Sequence, residues 1–249
     1  MAYCSSASPP SPVDRVINLN DRGVLGLVTG EESPRLSVSA FKAALTGIGQ
    51  ICSPSSCAVS DDKVMESSSK SSMSVTCKAI RMREFEFQEE DFYVFDHAVV
   101  FQYESGKKPV TMSAEEATFC SAIITFNLAL TYHKTGRHSG DGGRLQTASY
   151  LYQKCIEMSI SAAEAQMGED MLMLQLVAGN NAAHIMYTLA RFDECQDILY
   201  SNHCRAHSLV HKMGSFCEPE QDTLIVKEQL EEIILNMAVL SVPLLAPMA

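Results

Sequence analysis

Basic residues are scarce in this 249-residue chain, which carries 19 lysines and arginines against 30 aspartates and glutamates. Binding to nucleic acid depends on concentrated positive charge, so the formal net charge of −11 argues against a nucleic-acid partner. The same charge disfavours docking on an anionic membrane surface. We therefore expect an acidic intracellular protein, cytoplasmic or nuclear, with no nucleic-acid partner and no membrane contact.

The chain also lacks an uninterrupted apolar run long enough to cross a bilayer. The best candidate, residues 233–249, is broken by two prolines and two polar residues, whereas a spanning helix needs about 20 residues without such breaks. The polar, proline-bearing stretch 1–15 has no apolar core of a secretory signal. These features predict no membrane anchor and a reducing compartment, in which the nine irregularly spaced cysteines stay as thiols.

Sequence signatures of catalysis are missing as well. There is no GxSxG nucleophile motif, and the cysteines have no recognisable nucleophile context. The glycine-rich stretch 140–143 and the SGKK at 105–108 both lack the complete pattern of a phosphate-binding loop. These absences predict a protein that is not an enzyme and that uses no cofactor.

One histidine cluster favours a different function. His203, His207 and His211 follow one another at four-residue steps, which places three imidazoles along one face of a helix. Two histidines at this spacing hold a metal ion in known motifs, yet this stretch lacks the glutamate of an HExxH zinc site. A polar stripe on an amphipathic helix explains the same pattern. A metal-dependent enzyme or metal-binding protein centred on these residues is therefore the alternative hypothesis.

Helical periodicity is the main positive signal, and it centres on residues 117–157. Apolar residues recur at three- and four-residue steps over about 117–135 and again over about 144–165, which predicts two helices. Ser113 followed by Glu116 has the spacing of a capping box and marks the first helix start. Helices joined by a short connection pack antiparallel. The surplus residues 138–143 are expected to bulge from one end of the hairpin.

This hairpin and a second, degenerate copy resemble tetratricopeptide repeats, a family of stacked helical hairpins. The matching positions are Asn127, Leu128, Ala129, Tyr132, Gly136, Ala148, Tyr152 and Cys155 in the first copy, and Asn181, Ala183, Met186, Phe192, Asp193, Cys195 and Leu199 in the second. The spacing departs from the family pattern, because Ala148 lies 21 residues after Asn127 instead of the expected separation of about 14 in a repeat of about 34 residues. The proline that usually closes the repeat is also absent.

The resemblance implies a groove, lined by the first helix of each hairpin, that holds a peptide. Asn127, Asn181 and His184 lie on these first helices, and asparagines at such positions in the family commonly hydrogen-bond the ligand backbone. In the alternative interpretation, the two asparagines only satisfy polar groups between helices. The implied function is a non-catalytic protein–protein interaction module that binds a peptide or partner protein. Because two copies make a short stack, self-association or capping by the C-terminal segment is also expected.

A narrower resemblance covers most of residues 85–249. The stretches FYVFDHAVVF, IITFNLALTYH, NNAAHIMYTLARFDECQDIL and IILNMAVLSVPLLAPMA are similar to a family of uncharacterised diatom proteins. This resemblance supports the expected fold and implies no established activity.

The chain is expected to divide near residue 78. Serine-rich stretches in 1–77 bury too little apolar surface to offset the entropy of ordering, which predicts a disordered tail with one transient helix at Ala40–Ile48. An organelle transit peptide is the alternative, and its acidic residues disfavour it. Residues 78–249 form the predicted helical domain.

Strand-like composition flanks the predicted helices. Aromatic and β-branched residues over 92–101 predict a strand, and alternating Phe and Glu near 84–88 predict its hairpin partner, with a connection around 88–91. The stretch Ile233–Leu240 continues the last helix or forms a further strand. The backbone groups of residues 92–101 need hydrogen-bond partners, and this favours the strand at Ile233–Leu240. The predicted fold class is mainly α, with antiparallel tetratricopeptide-like hairpins, a small β element and a disordered N-terminal tail.

Overall fold

The computed structural model of the protein describes residues 10–30, 33–52, 75–82, 92–103, 112–163, 168–213 and 227–240. These residues form seven α-helices and one two-stranded antiparallel sheet, so the mainly helical fold class with a small β element is confirmed. The helices are α1 (Pro12–Thr29), α2 (Pro34–Ile51), α3 (Ala114–Ser139), α4 (Gly142–Ala163), α5 (Gly168–Thr188), α6 (Phe192–Met213) and α7 (Lys227–Leu240). The strands are β1 (Val75–Arg81) and β2 (His97–Tyr103).

The helices stack in chain order, each packing on the next from α1 to α7. The odd-numbered helices also contact one another in turn, and α1 and α3 contact β2. The odd-numbered helices therefore form one layer, and its members α1 and α3 face the strands. The predicted helical hairpins correspond to α3 with α4 and to α5 with α6. Within the described part of the chain, no helix is both long and apolar enough to cross a membrane.

The α3–α4 hairpin begins at the predicted capping box. The Glu116 N–H donates to Ser113 Oγ at 3.1 Å, and Glu116 Oε2 accepts the Ser113 N–H at 2.8 Å. Helix α3 ends at Gly140, whose φ of 65° is the left-handed conformation that closes helices. Asp141 then caps α4, because its Oδ1 accepts the N–H groups of Gly143 and Arg144. The predicted bulge at 138–143 is wrong, since both helices extend into it.

Helices α1 and α2 contradict the predicted disorder of residues 1–77 over Pro12–Ile51. Each helix starts at a serine cap followed by proline, and both contribute apolar side chains to the main core. They meet closely at Gly23, where a β-carbon would lie 2.5 Å from the ring of Phe41. The amphipathic region lies between serine-rich stretches, so the average composition of residues 1–77 hides its apolar residues. Residues 1–9 and 53–74 lie outside the described residues.

The sheet also differs from the predicted one. β1 pairs with β2 in a register that runs from Val75 opposite Tyr103 to Arg81 opposite His97. The partner of the predicted strand therefore lies at 75–81, which moves the domain boundary before residue 78. The predicted strand at 84–88 and its connection at 88–91 lie outside the described residues. The predicted strand at Ile233–Leu240 is wrong, because this stretch belongs to helix α7.

Candidate functional site

The layer of odd-numbered helices packs against residues 92–101, which we call the inner segment. Phe95, Ala98 and Val99 in it are fully buried. In an extended chain, the N–H and C=O of one residue lie on the same edge, and successive residues alternate between edges. The even edge of the inner segment faces β1, since the Met82 N–H donates to the Asp96 carbonyl at 3.3 Å. The odd edge faces the helices.

Asparagine side chains bind this odd edge. Asn127 on α3 accepts the Val99 N–H at 2.9 Å through Oδ1 and donates from Nδ2 to the Val99 carbonyl at 2.7 Å. Asn181 on α5 makes the same pair of bonds with Phe95, both at 2.9 Å. Each amide therefore supplies the two hydrogen bonds that a neighbouring strand would supply.

A third asparagine extends the arrangement to α7. Asn236 accepts the Tyr93 N–H at 3.0 Å and donates to the Tyr93 carbonyl at 2.7 Å. We call Asn127, Asn181 and Asn236 the asparagine ladder. The ladder satisfies backbone groups that would otherwise be buried without partners, so it explains how three helices can pack directly on a strand edge.

Two further asparagines orient the ladder. Asn20 Oδ1 on α1 accepts from Asn127 Nδ2 at 3.1 Å, and Asn180 Oδ1 on α5 accepts from Asn236 Nδ2 at 2.8 Å. For Asn127 and Asn236, these contacts agree with the donor end that the backbone bonds define. Asn180 Nδ2 also donates to the Tyr93 carbonyl at 3.0 Å. The buried Nδ2 of Asn20 has no partner among the described residues.

Aromatic contacts hold the side chains of the inner segment. Phe92 packs edge-on against His184 with ring centroids 5.1 Å apart, and it also contacts Tyr187 at 5.9 Å. Phe95 packs against Phe126 of α3 at 6.1 Å. The helices therefore contact the aromatic side chains at positions 92 and 95 in addition to the backbone.

A chain of polar groups, three of them buried and one half-buried, joins α3, α4 and α5 beside the ladder. It consists of Arg137, His184, His133 and Tyr152, which we call the histidine relay. Arg137 Nη1 lies 2.8 Å from His184 Nε2, and His184 Nδ1 lies 3.0 Å from His133 Nε2. His133 Nδ1 lies 3.4 Å from Tyr152 Oη, which also accepts from Asn181 Nδ2 at 3.2 Å. The relay therefore ends on a ladder residue.

The relay fixes the proton positions on both imidazoles. Arginine only donates, so Nε2 of His184 accepts and the proton of neutral His184 lies on Nδ1. That proton is donated to Nε2 of His133, whose own proton then lies on Nδ1. Burial, followed by His184 and Arg137, holds the pKa of His133 well below its usual range. Burial likewise raises the pKa of Tyr152. His133 and Tyr152 are therefore both uncharged at neutral pH.

Helix α7 makes a second contact with the inner segment. Asp96 Oδ1 lies 2.8 Å from His97 Nδ1, and Gln229 Nε2 of α7 lies 3.1 Å from His97 Nε2. Tyr93 lies near the same end, and burial followed by the charges of Asp96 and Glu232 raises its pKa. Side-chain contacts therefore join the last helix to the inner segment at both Tyr93 and His97.

The structure places the three residues predicted to line a groove in one region with different roles. Asn127 and Asn181 hydrogen-bond an extended backbone, which is the protein's own inner segment. His184 is buried in the histidine relay. Asn236 and His133 belong to the same region but were not among the residues predicted from the sequence. A usable signal exists, because Asn181 lies 54 residues after Asn127 and Asn236 lies 55 residues after Asn181.

The histidines of the alternative metal site lie on α6, outside the ladder and the relay. His203 and His207 are exposed on α6, and the side chain of His211 lies outside the described residues. Among the side chains that the structure describes, no group of three or more His, Cys, Asp or Glu is arranged to hold a metal ion. No specific contact in the described region favours this alternative.

Comparison with protein-family models, with curated protein sequences and with solved structures gives no match to this chain. The resemblances to tetratricopeptide repeats and to the diatom family therefore stay predictions. The function has to be inferred from the geometry of the ladder, the inner segment and the relay.

Proposed function

We propose that this protein is a non-catalytic interaction module whose helical groove binds an extended peptide segment of a partner protein. The asparagine ladder carries this proposal, since Asn127, Asn181 and Asn236 come from three different helices and bind one continuous extended backbone. Such bonds involve only N–H and C=O groups, so they suit an extended chain of many sequences. The sequence resemblance to tetratricopeptide repeats, whose first helices line the groove, supports this use of the odd-numbered helices.

The inner segment indicates what kind of peptide fits. Phe92 and Phe95 fill aromatic sites next to His184 and Phe126. Backbone bonding supplies affinity and the side-chain sites supply selectivity, as in other proteins that bind extended peptides. We therefore expect a partner segment with two aromatic residues three positions apart, the second of which is held by Asn181.

The inner segment is also a competitor of any such partner. It occupies the groove in the free protein, so the apparent dissociation constant is the intrinsic one divided by the fraction of molecules with an open groove. Weakening the inner segment should therefore strengthen binding of a foreign peptide. A purely structural inner segment would not behave in this way.

The test uses the full-length protein and a fluorescent peptide that copies residues 92–101 between lysine flanks. Fluorescence anisotropy should give saturable binding. A control peptide with serine in place of both matching phenylalanines should bind at least tenfold more weakly, because each buried phenyl contributes about 1.5–3 kcal/mol.

Protein variants complete the experiment. Phe92→Ala loosens the competitor and should tighten binding of the copied peptide. Tyr200→Ala removes an aromatic ring that is 70% exposed on α6 and should leave binding unchanged. Equal binding of both peptides, or no effect of Phe92→Ala, would reject the proposed function.

A further inference from the structure

The histidine relay touches the inner segment at two points. Tyr152 Oη accepts from Asn181 Nδ2, which also donates to the Phe95 carbonyl. At the other end of the same stretch, the ring of Phe92 packs on His184. The relay is therefore joined to residues 92–95 directly by the His184–Phe92 ring contact and indirectly by hydrogen bonds through Asn181.

We propose that the histidine relay is an acid-sensitive latch: uptake of a proton by the His133–His184 pair releases residues 92–95 from the asparagine ladder. This inference concerns regulation of the groove and in that sense rests on the proposed function. Its consequence for the inner segment can be measured without any partner.

The geometry of the relay gives the reason. A neutral imidazole has one lone pair, and both lone pairs already accept a hydrogen bond, at His184 Nε2 from Arg137 and at His133 Nε2 from His184. A proton added to either imidazole places two N–H donors opposite each other at about 3 Å. This distance is favourable only between a donor and an acceptor. One of the two relay contacts must then break.

The charged and titratable groups among the described neighbours act in the same direction. Arg137 on α3 is positive and lies against His184. Tyr152 on α4, beside the thiol of Cys155, presents a neutral hydroxyl, and burial raises the pKa of both groups. Phe92 of the inner segment adds no charge. These described neighbours therefore disfavour a positively charged imidazolium at His133 or His184.

The sign of the pH dependence follows from the lowered pKa of His133. The latched state binds fewer protons than a state in which the imidazole reaches water. The latch is therefore fully effective above the usual histidine pKa of about 6.5 and is lost as the pH falls below it. For one proton, the equilibrium constant for release rises by up to about tenfold per pH unit.

The release should be local. Val99 is held by Asn127, whose remaining amide contact goes to Asn20 on α1, away from the relay. The Val99 amide therefore serves as an internal reference for the Phe95 amide.

The test is residue-resolved hydrogen exchange of the full-length protein between pH 7.5 and 5.5, with intrinsic exchange rates divided out. The protection factor of the Phe95 amide should fall by up to about tenfold per pH unit below 6.5, while that of Val99 changes much less. A pH-independent Phe95 amide would overturn the proposal. Equal loss of protection at both amides would indicate global unfolding and would overturn it as well.

Substitutions assign the effect to the relay. His184→Gln keeps an acceptor for Arg137 and a donor for His133 but does not titrate, and the double variant with His133→Gln removes both imidazoles. Both variants should show a weaker pH dependence at Phe95 than the wild type. His207→Gln changes an exposed histidine and should retain the wild-type dependence. If the double variant does not fold, two measurements still test the proposal. They are the pH dependence of the His184→Gln variant and the wild-type comparison of the Phe95 and Val99 amides. Because no peptide is added, failure of this test is separate from failure of peptide binding.

Discussion

Asn181 pairs with Phe95 as a neighbouring β-strand would, with an N–H donated to its Oδ1 and a carbonyl bound by its Nδ2, both at 2.9 Å. A single side-chain amide on a helix thus satisfies the edge of an extended chain. Repetition of this pairing at Asn127 and Asn236 lets a mainly helical protein hold a strand-like segment within its helices.

Loss of the Asn181 amide should destabilise the protein strongly. Asn181→Leu keeps a similar volume but leaves the N–H and C=O of Phe95 buried without partners. Each unpaired group costs about 1–3 kcal/mol, so the free energy of unfolding should fall by about 2–6 kcal/mol. Urea denaturation measures the change. The matched substitution Gln153→Leu, on the exposed side of α4, should alter stability by less than about 0.5 kcal/mol.

Two glycines test whether α1 and α2 belong to the packed domain. Gly23→Ala places a methyl group against the Phe41 ring and should cost about 1–3 kcal/mol through overpacking. Gly49→Ala faces open space near the end of α2 and should be neutral or stabilising by up to about 1 kcal/mol. Thermal unfolding compares the two. If both variants melt at the wild-type temperature, Pro12–Ile51 is not part of the cooperative unit.

Small residues at the α3–α4 contact provide a further test of the hairpin. Ala129 and Ala148 are fully buried, so replacement of either by Leu should destabilise the protein by about 1–3 kcal/mol. Ala114→Leu, at the exposed start of α3, is the matched control and should have little effect. Chemical denaturation that gave equal stability for all three variants would contradict the packing of α3 on α4.

Stability should depend on pH through His133. Its pKa is lowered in the folded protein, so the folded state binds fewer protons than the unfolded state below pH 6.5. The free energy of unfolding should therefore fall with decreasing pH, by up to about 1.4 kcal/mol per unit from this one group. Denaturation at pH 7.5 and 5.5 should give a larger difference for the wild type than for His133→Gln. An identical difference would mean that His133 does not contribute.

The sequence by itself determined the helices whose periodicity and caps are local. The Ser113–Glu116 capping box and the apolar stripes of α3 to α6 depend on residues three or four positions apart, so these helices could be predicted. Asn127 and Asn181 were predicted as site residues from the resemblance to tetratricopeptide repeats, which places them on the first helices. Local patterns did not predict the ordered helices α1 and α2, because their apolar residues lie between serine-rich stretches.

Only the tertiary structure decided which groups these asparagines bind. Asn127, Asn181 and Asn236 reach backbone groups 28, 86 and 143 residues away in the chain, and no local pattern encodes such a pairing. The C-terminal stretch shows the consequence. Residues 92–101 need hydrogen-bond partners, which suggested that Ile233–Leu240 is a strand. Helix α7 also supplies these hydrogen-bond partners, because the Asn236 side chain offers a donor and an acceptor to the backbone of Tyr93. The backbone groups of α7 are hydrogen-bonded within the helix itself.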